Sequence, residues 1–275
     1  MDIHISLAAE ELFKIGPIPV TNSMMTMFLV MALVLTAGIF IARRAQNVPT
    51  GRTQGLAEML VGFLVDLVEG TGGKRLGRRI LPLISGIFIF ILFANFSGLL
   101  PGVGTIGLKH GDSLTPLFRP PTADLNMTFA LSILAFTAIQ IAGISAHGVV
   151  GRIKHMADPP FLFPIEVIGE LSRILSLAAR LFGNVLAGEI LLGVMYAMGA
   201  AIKVAVLPAL FPVVFLGLEV LFGTIQALVF ALLTLIYIML AAAHSHADEH
   251  EPAATHARAE DGVSGSLPSP QPSGN

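Results

Sequence analysis

The chain contains no cysteine, and charged residues make up only 12% of its 275 residues. The absence of cysteine excludes disulfide bonds and thiolate chemistry. The charged fraction is about half that of a soluble domain, which excludes an ordinary water-soluble protein. Several apolar runs reach the roughly 20 residues that a helix needs to cross the hydrocarbon core of a bilayer. The composition therefore predicts an all-α, polytopic membrane protein in contact with lipid.

Five membrane-spanning helices and one interfacial helix are predicted. The N-terminus lacks a basic n-region, and the first apolar run is followed by Arg43 and Arg44 instead of a small-residue cleavage site. We therefore expect a retained span and not a signal peptide. An extracytoplasmic segment at 1–23 precedes a transmembrane domain at 24–243. The predicted helices lie at about 24–43, 54–70, 80–100, 124–148, 165–203 and 213–243.

The segment at 54–70 is amphipathic, which distinguishes it from the other five. Such a helix is typical of the membrane interface, and packing against a soluble partner is the alternative. Its apolar face contains Leu56, Met59, Leu60, Phe63, Leu64 and Leu67, and its polar face contains Glu58, Gly62, Asp66 and Glu69.

Positive charge is distributed unevenly between the two sides of the predicted membrane domain. By the positive-inside bias, the N-terminus lies outside and the C-terminus is cytoplasmic. The cytoplasmic cations are Arg43, Arg44, Arg52, Lys74, Arg75, Arg78, Arg79, Arg152 and Lys154, whereas the outer ones are Lys14, Lys109, Arg119 and Lys203.

Residues 244–275 are polar and rich in proline, which predicts a disordered cytoplasmic tail. His244, His246 and His250 could be metal ligands, but a flexible tail offers no second shell to orient them. We therefore predict no metal site there. We also predict no cofactor and no nucleic-acid partner.

The last two apolar segments are too long for a perpendicular crossing. Residues 165–203 would form a helix of about 58 Å and residues 213–243 one of about 46 Å, against a bilayer core of about 30 Å. Either each segment breaks into two short spans, or the pair forms a steeply tilted antiparallel hairpin that turns near Pro208 and Pro212. We favour the hairpin, because neither run contains the glycine and proline cluster expected at a turn inside the membrane.

Charged and polar side chains are concentrated on these two long segments. Each charge at membrane depth costs roughly 2.5–3.5 kcal/mol on insertion scales, so such residues predict a function. At 100° per residue, one stripe of the first helix contains Glu166, Glu170, Arg173, Arg180 and Asn184, with Ser176 at its edge and Glu189 almost opposite, while Glu219 and Gln226 share one face of the second.

Arg180 differs chemically from the acids around it. A guanidinium keeps its proton in a protein, whereas the carboxyl groups of Glu189 and Glu219 can bind and release one. A local salt bridge does not explain Arg180, because Glu189 points away from it. Glu166, Glu170 and Arg173 have a spacing that allows local pairing, which makes them candidates for structural contacts. A fixed cation flanked by titratable acids is suited to proton transport.

Two segments of these helices resemble a known family. "ARLFGNVLAGE" at 179–189, followed by "TIQALVFALLTLIY" at 224–237, resembles subunit a of the rotary F-type ATP synthase, the stator half of its proton channel. The resemblance extends over most of residues 24–243 in span order. It implies a subunit of the bacterial inner membrane that is not itself an enzyme, with a c-subunit ring and the b-subunit peripheral stalk as partners. It also implies two steeply tilted helices beside the ring.

The resemblance assigns roles to individual residues. Arg180 matches the stator arginine that holds a ring carboxylate and blocks a direct leak between two offset half-channels. Asn184 and Glu189 match its polar neighbours, and Gln226 matches the glutamine that faces it from the last helix. The outer half-channel would contain Glu189 and Glu219, and the cytoplasmic exit would be bordered by Glu166, Glu170 and Ser176.

One residue departs from the family pattern, and one alternative function remains. Some relatives carry a histidine at the position of Glu219, which is acidic here. A proton-coupled secondary transporter that binds a small anion at Arg180 is the alternative function, although the sequence shows neither inverted repeats nor broken helices.

Overall fold

The computed structural model describes residues 10–46, 51–100, 103, 107–110, 113–156, 161, 163–201 and 207–243. Five long helices occur in these ranges, and each contains a stretch long and apolar enough to cross a membrane. The prediction of a polytopic, helical membrane protein is confirmed. The predicted tail at 244–275 lies outside the described residues. The helices are α1 (Asn22–Arg44), α2 (Arg52–Ser97), α3 (Leu125–Met156), α4 (Phe163–Ala201) and α5 (Leu207–Ala243).

Two short β-hairpins accompany the helices, and the sequence analysis did not predict them. Strands β1 (Glu11–Ile15) and β2 (Ile18–Thr21) pair in antiparallel fashion directly before α1. Strands β3 (Gly107–His110) and β4 (Ser113–Pro116) do the same between α2 and α3. A 3₁₀ turn at Pro121–Ala123 follows β4. With four or five residues each, these strands are too short for an alternating pattern to stand out in the sequence.

Helices α2 and α3 each contain a sharp bend at a glycine with positive φ. Gly73 has φ 69° and ψ 163°, and Gly148 has φ 73° and ψ 166°. This region of backbone conformation is essentially restricted to glycine. The first bend makes the predicted segments 54–70 and 80–100 into two arms of α2. The second bend coincides with the predicted end of a helix at 148, after which the structure adds a short arm that reaches Met156.

The first arm of α2 buries only part of its apolar surface. Leu64 and Val68 are buried in the protein core, whereas Leu56, Met59 and Phe63 are exposed. A helix that packs on protein along one edge and exposes apolar side chains along another is suited to the membrane interface. The interfacial position stays a prediction.

The core lies where the second arm of α2 packs with α3, α4 and α5. Its side chains are the apolar stripes of four helices, as expected for helices that bury one face against their neighbours. Fully buried members are Ile84 and Ile91 of α2, Ala135 of α3, Leu181 of α4, and Phe230 and Leu235 of α5.

Helices α4 and α5 are unbroken over 39 and 37 residues. Three contacts define their register: Arg173 lies over the ring of Tyr237, Asn184 bonds to Phe222, and Gly188 adjoins Glu219. As the residue number increases along α4, the number of the contacting residue on α5 decreases, so the helices are antiparallel. At about 1.5 Å per residue, both exceed the bilayer core by more than 20 Å, as the predicted hairpin requires.

The bounds of this hairpin differ from the predicted ones. Helix α4 begins at Phe163 and α5 begins at Leu207, both earlier than expected. Pro208 and Pro212 therefore lie in the first turns of α5 and not in the connecting turn. Pro208, the second residue of α5, is tolerated because the N–H that it lacks would have no intrahelical partner in the first turn. Pro212 is the sixth residue and lies in the second turn, so this reason does not extend to it. Residues 202–206 lie outside the described residues, and the steep tilt stays a prediction.

We expect Gly148→Ala to destabilise the bend in α3. A Cβ atom at Gly148 would meet no atom within 4 Å, so the substitution tests backbone conformation alone. Holding an L-residue in this conformation costs on the order of 1–3 kcal/mol. A lower midpoint of thermal unfolding of the detergent-solubilised protein is the expected result. Gly62→Ala is the matched control, since Gly62 also has open space around it but lies in regular helix. An equal loss in both variants would show that the bend has no special requirement for glycine.

Candidate functional site

Arg180 lies near the middle of α4 with its side chain exposed on the protein surface. Its neighbours Ala178 and Leu181 are buried in the core, so the arginine lies on the outward face of the helix. No described residue forms an ion pair or hydrogen bond with its guanidinium. The described part of the chain therefore offers no compensation for the free-energy cost of placing this charge at membrane depth.

Gln226 of α5 lies at the level of Arg180. The Asn184 side-chain amide donates a hydrogen bond to the carbonyl of Phe222, with an N···O distance of 3.4 Å. Arg180 lies one helical turn before Asn184, and Gln226 lies one turn after Phe222. Because the helices are antiparallel, these two residues are at the same level. Gln226 is buried, and its Nε2 atom has no hydrogen-bond partner among the described residues. The register of the two helices thus brings the guanidinium of Arg180 and the side-chain amide of Gln226 to the same level along the hairpin.

A cavity of about 200 Å³ opens beside the same two helices. Asn184 and Gly188 line it from α4, and Glu219 lines it from α5. A Cβ atom at Gly188 would lie only 2.6 Å from Oε1 of Glu219, so the missing side chain makes room for the carboxyl group. The Oε2 atom of Glu219 is buried without a hydrogen-bond partner in the described part of the chain. The cavity is large enough for several water molecules, which could serve this carboxyl.

Glu189 pairs with an arginine that the sequence analysis did not single out. Its Oε2 atom lies 3.5 Å from Nη2 of Arg119, which belongs to the segment between β4 and the 3₁₀ turn. The charge pattern of the sequence identifies Arg119 only as an outer-loop cation. These residues are 70 positions apart, so no sequence spacing signals their contact.

Glu170 is held in a closed cluster with two residues of α3. It is buried, with Oε1 at 2.9 Å from Nη2 of Arg152 and Oε2 accepting from Gln140 at 2.7 Å. Arg152 also donates to Oε1 of Gln140 at 3.3 Å. The expected pairing within α4 is therefore wrong for Glu170. The bend at Gly148 turns the chain back and brings Arg152 to this site.

The remaining predicted residues of α4 have different surroundings. The guanidinium of Arg173 lies 4.9 Å from the ring centre of Tyr237, which is a cation–π contact with α5. Glu166 and Ser176 are exposed. The structure thus places Asn184, Glu219 and Gln226 around the α4–α5 contact, and it places Glu166, Glu170 and Ser176 elsewhere along α4.

Asn95 forms a buried link that the sequence analysis also missed. Its amide donates to the carbonyl of Gly223 at 3.0 Å and its Oδ1 accepts from the hydroxyl of Thr122 at 2.8 Å. A polar residue inside an apolar run was the available signal. The link joins α2, the 3₁₀ turn and α5 next to the cavity.

Comparison with known proteins decides the family. The family model described as ATP synthase A chain matches residues 24–239. The chain belongs to this family. ATP synthase subunit a of Moorella thermoacetica is 40% identical over 230 residues, which cover 83% of this chain and 94% of the relative. ATP synthase subunit a 3 of Pelobacter propionicus is 38% identical, covering 80% of this chain and 86% of the relative. ATP synthase subunit a of Desulfosudis oleivorans is 37% identical, covering 80% and 87%.

Membership of the ATP synthase A chain family identifies the chain as a multi-pass membrane subunit of an ATP synthase. Association with other subunits of that complex follows from this family. Within the described residues, no group of three or more metal-ligating side chains occurs. His244, His246 and His250 lie outside the described residues. The roles of individual site residues stay predictions.

Proposed function

We propose that this chain is the proton-channel stator of an F-type ATP synthase and that Arg180 meets a carboxylate on a rotating ring of c subunits. The observation that carries this proposal is an exposed arginine, near the middle of a membrane-spanning helix, that has no ion-pair partner among the described residues. A guanidinium in hydrocarbon requires a counter-charge, because it cannot lose its proton. A carboxylate on a neighbouring subunit provides that charge.

In the proposed mechanism, two offset aqueous half-channels reach the middle of the membrane. The outer half-channel includes the cavity beside Glu219 and the neighbouring Glu189. A proton passes from these acids to the ring carboxylate, and the ring then rotates with that group neutral. The proton leaves through a cytoplasmic half-channel bordered by Glu166, Glu170 and Ser176.

Arg180 has two functions in this mechanism. It binds the ring carboxylate while that group is deprotonated, and it blocks a direct path between the half-channels. A proton that crosses 100 mV releases about 2.3 kcal/mol, which a leak would dissipate. Asn184 and Gln226 are suited to orient water or the guanidinium, since an amide donates and accepts hydrogen bonds without titrating.

The proposed setting is the bacterial inner membrane, with the N-terminus outside and the C-terminus in the cytoplasm. The c-subunit ring and the b-subunit stalk are the proposed partners. Catalysis of ATP synthesis takes place in other subunits, so the chain is not an enzyme by itself.

We expect Glu189→Gln to slow proton flux without preventing assembly of the complex. An amide cannot pass on a proton, so the flux should fall by about a hundredfold, at the lower end of what a positioned acid or base contributes. ATP-driven acidification of inverted membrane vesicles measures the flux, and a native gel measures assembly. Glu58→Gln, an exposed glutamate on α2, is the control and should leave the flux unchanged.

The same vesicles separate the proposed function from the transporter alternative. Unchanged flux in Glu189→Gln would remove this residue from the relay. Anion-coupled proton uptake by the purified chain, reconstituted without c subunits, would overturn the stator function in favour of a carrier.

A further inference from the structure

Arg119 is an arginine that is almost completely buried. Its residue is only 4% exposed, although arginine is among the residues that proteins bury least often. Its backbone N–H lies 3.3 Å from the hydroxyl of Thr26 in α1, which anchors the segment that carries it. Its Nη2 atom lies 3.5 Å from Oε2 of Glu189. A loop segment therefore carries a fixed cation to an acid on α4.

The two acids of the outer pathway have different surroundings. Glu189 has one oxygen bound by Arg119 and a side chain that is 34% exposed. Glu219 lies against Gly188, the residue next to Glu189, and one of its oxygens is buried without a hydrogen-bond partner in the described ranges. The acids are thus neighbours, and only Glu189 is bound by the guanidinium of Arg119 in the contacts described.

We propose that Arg119 is a positioning residue of the outer proton pathway, which binds one oxygen of Glu189 and holds that carboxyl group beside Glu219. The proposal rests on the proposed function of the chain as a proton-channel stator. Arg119 does not transfer the proton, because a guanidinium keeps its own. It fixes the rotamer of Glu189, so that the second oxygen stays available to water or to Glu219.

A double-variant experiment tests this proposal in the assembled complex. Arg119→Gln should lower the passive proton flux through the membrane sector by about tenfold or more, the effect typical of removing a group that orients a functional one. Arg119→Lys should retain most of the flux, since it keeps the charge. In a Glu189→Gln background, Arg119→Gln should cause less than a twofold further loss, because the group that Arg119 positions is already absent.

Arg152→Gln is the matched control, because it also removes an arginine that binds a carboxylate, at Glu170. Its effect on the flux should be the same with and without Glu189→Gln. An equal effect of Arg119→Gln in both backgrounds would overturn the proposal, and so would unchanged flux in assembled Arg119→Gln complexes.

Assembly gives a second measurement if Arg119→Gln fails to fold. Arg119→Gln alone leaves the partly buried carboxylate of Glu189 without this cation, and removing both charges relieves the imbalance. Arg119→Gln with Glu189→Gln should therefore regain assembly, and failure to regain it would overturn the pairing. Loss of coupled flux in Arg180→Ala, measured in parallel, tests the stator function separately. Unchanged proton flux in Arg119→Gln, together with loss of coupled flux in Arg180→Ala, would reject the positioning role of Arg119 and leave the stator function intact.

Discussion

Arg180→Ala is expected to abolish ATP synthesis driven by a proton gradient. The variant removes the guanidinium near the middle of α4 that would bind a ring carboxylate. A deprotonated ring carboxylate would then have no counter-charge on the stator. It also removes the barrier between the two half-channels, and a passive proton leak is therefore expected. Synthesis by energised vesicles and dye-reported proton leak measure the two effects. Assembly of the complex should persist, because Arg180 is exposed and is not a member of the described core.

Two control variants make this experiment specific. Arg180→Lys keeps the positive charge but loses the planar fork that matches a carboxylate, so it should retain little coupled synthesis. Arg173→Ala removes an arginine from the same helix, where it contacts Tyr237. That change removes a cation–π contact of about 0.5–2 kcal/mol and should leave coupling intact. Coupled synthesis at the normal rate in Arg180→Ala would refute the role assigned to this residue.

Arg152→Met is expected to have the largest effect on stability. It leaves the buried carboxylate of Glu170 without its cation, and breaking a buried pair in this way costs about 3–5 kcal/mol. Lower amounts of assembled complex and a lower midpoint of thermal unfolding are the expected results. Arg152→Met combined with Glu170→Met should recover most of the loss, because it removes both charges.

The pair Arg78–Glu69 provides a matched control for this prediction. It has a similar separation of 3.0 Å, and its arginine also follows a glycine bend, at Gly73, but the side chain of Arg78 is 75% exposed. Exposed pairs contribute about 0–1 kcal/mol, so Arg78→Met should have little effect. Equal losses in Arg78→Met and Arg152→Met would contradict the importance of burial. If the double variant at Arg152 and Glu170 assembles but conducts no protons, Glu170 belongs to the exit pathway and its role is not only structural.

The long helices could be predicted from the sequence because their signals are local. Runs of apolar residues give the spans, and the length of 165–203 alone argues for an overlong helix such as α4. Arg180 is identifiable because a charge within an apolar run is costly wherever it points. The expectation that Gln226 faces Arg180 came from the family resemblance, because an antiparallel arrangement alone does not fix the register of two helices.

The remaining features depend on contacts between distant parts of the chain. Arg152 reaches Glu170 only because Gly148 takes a positive φ, and a glycine in a sequence does not reveal which conformation it adopts. The contact between Arg119 and Glu189 depends on how a loop packs against α4. Gly73 likewise joins two predicted helices into one bent element. Local pattern carries no information about any of these pairings.

The link formed by Asn95 has a mechanical consequence. It ties the backbone of α5 at Gly223 to α2 and, through Thr122, to the segment before α3. A sideways force on α5 is therefore shared by three elements and is not absorbed by bending of one long helix. In the proposed assembly, these hydrogen bonds would help the α4–α5 hairpin to resist the torque of the rotating ring, so that the ring turns relative to the hairpin and does not displace it.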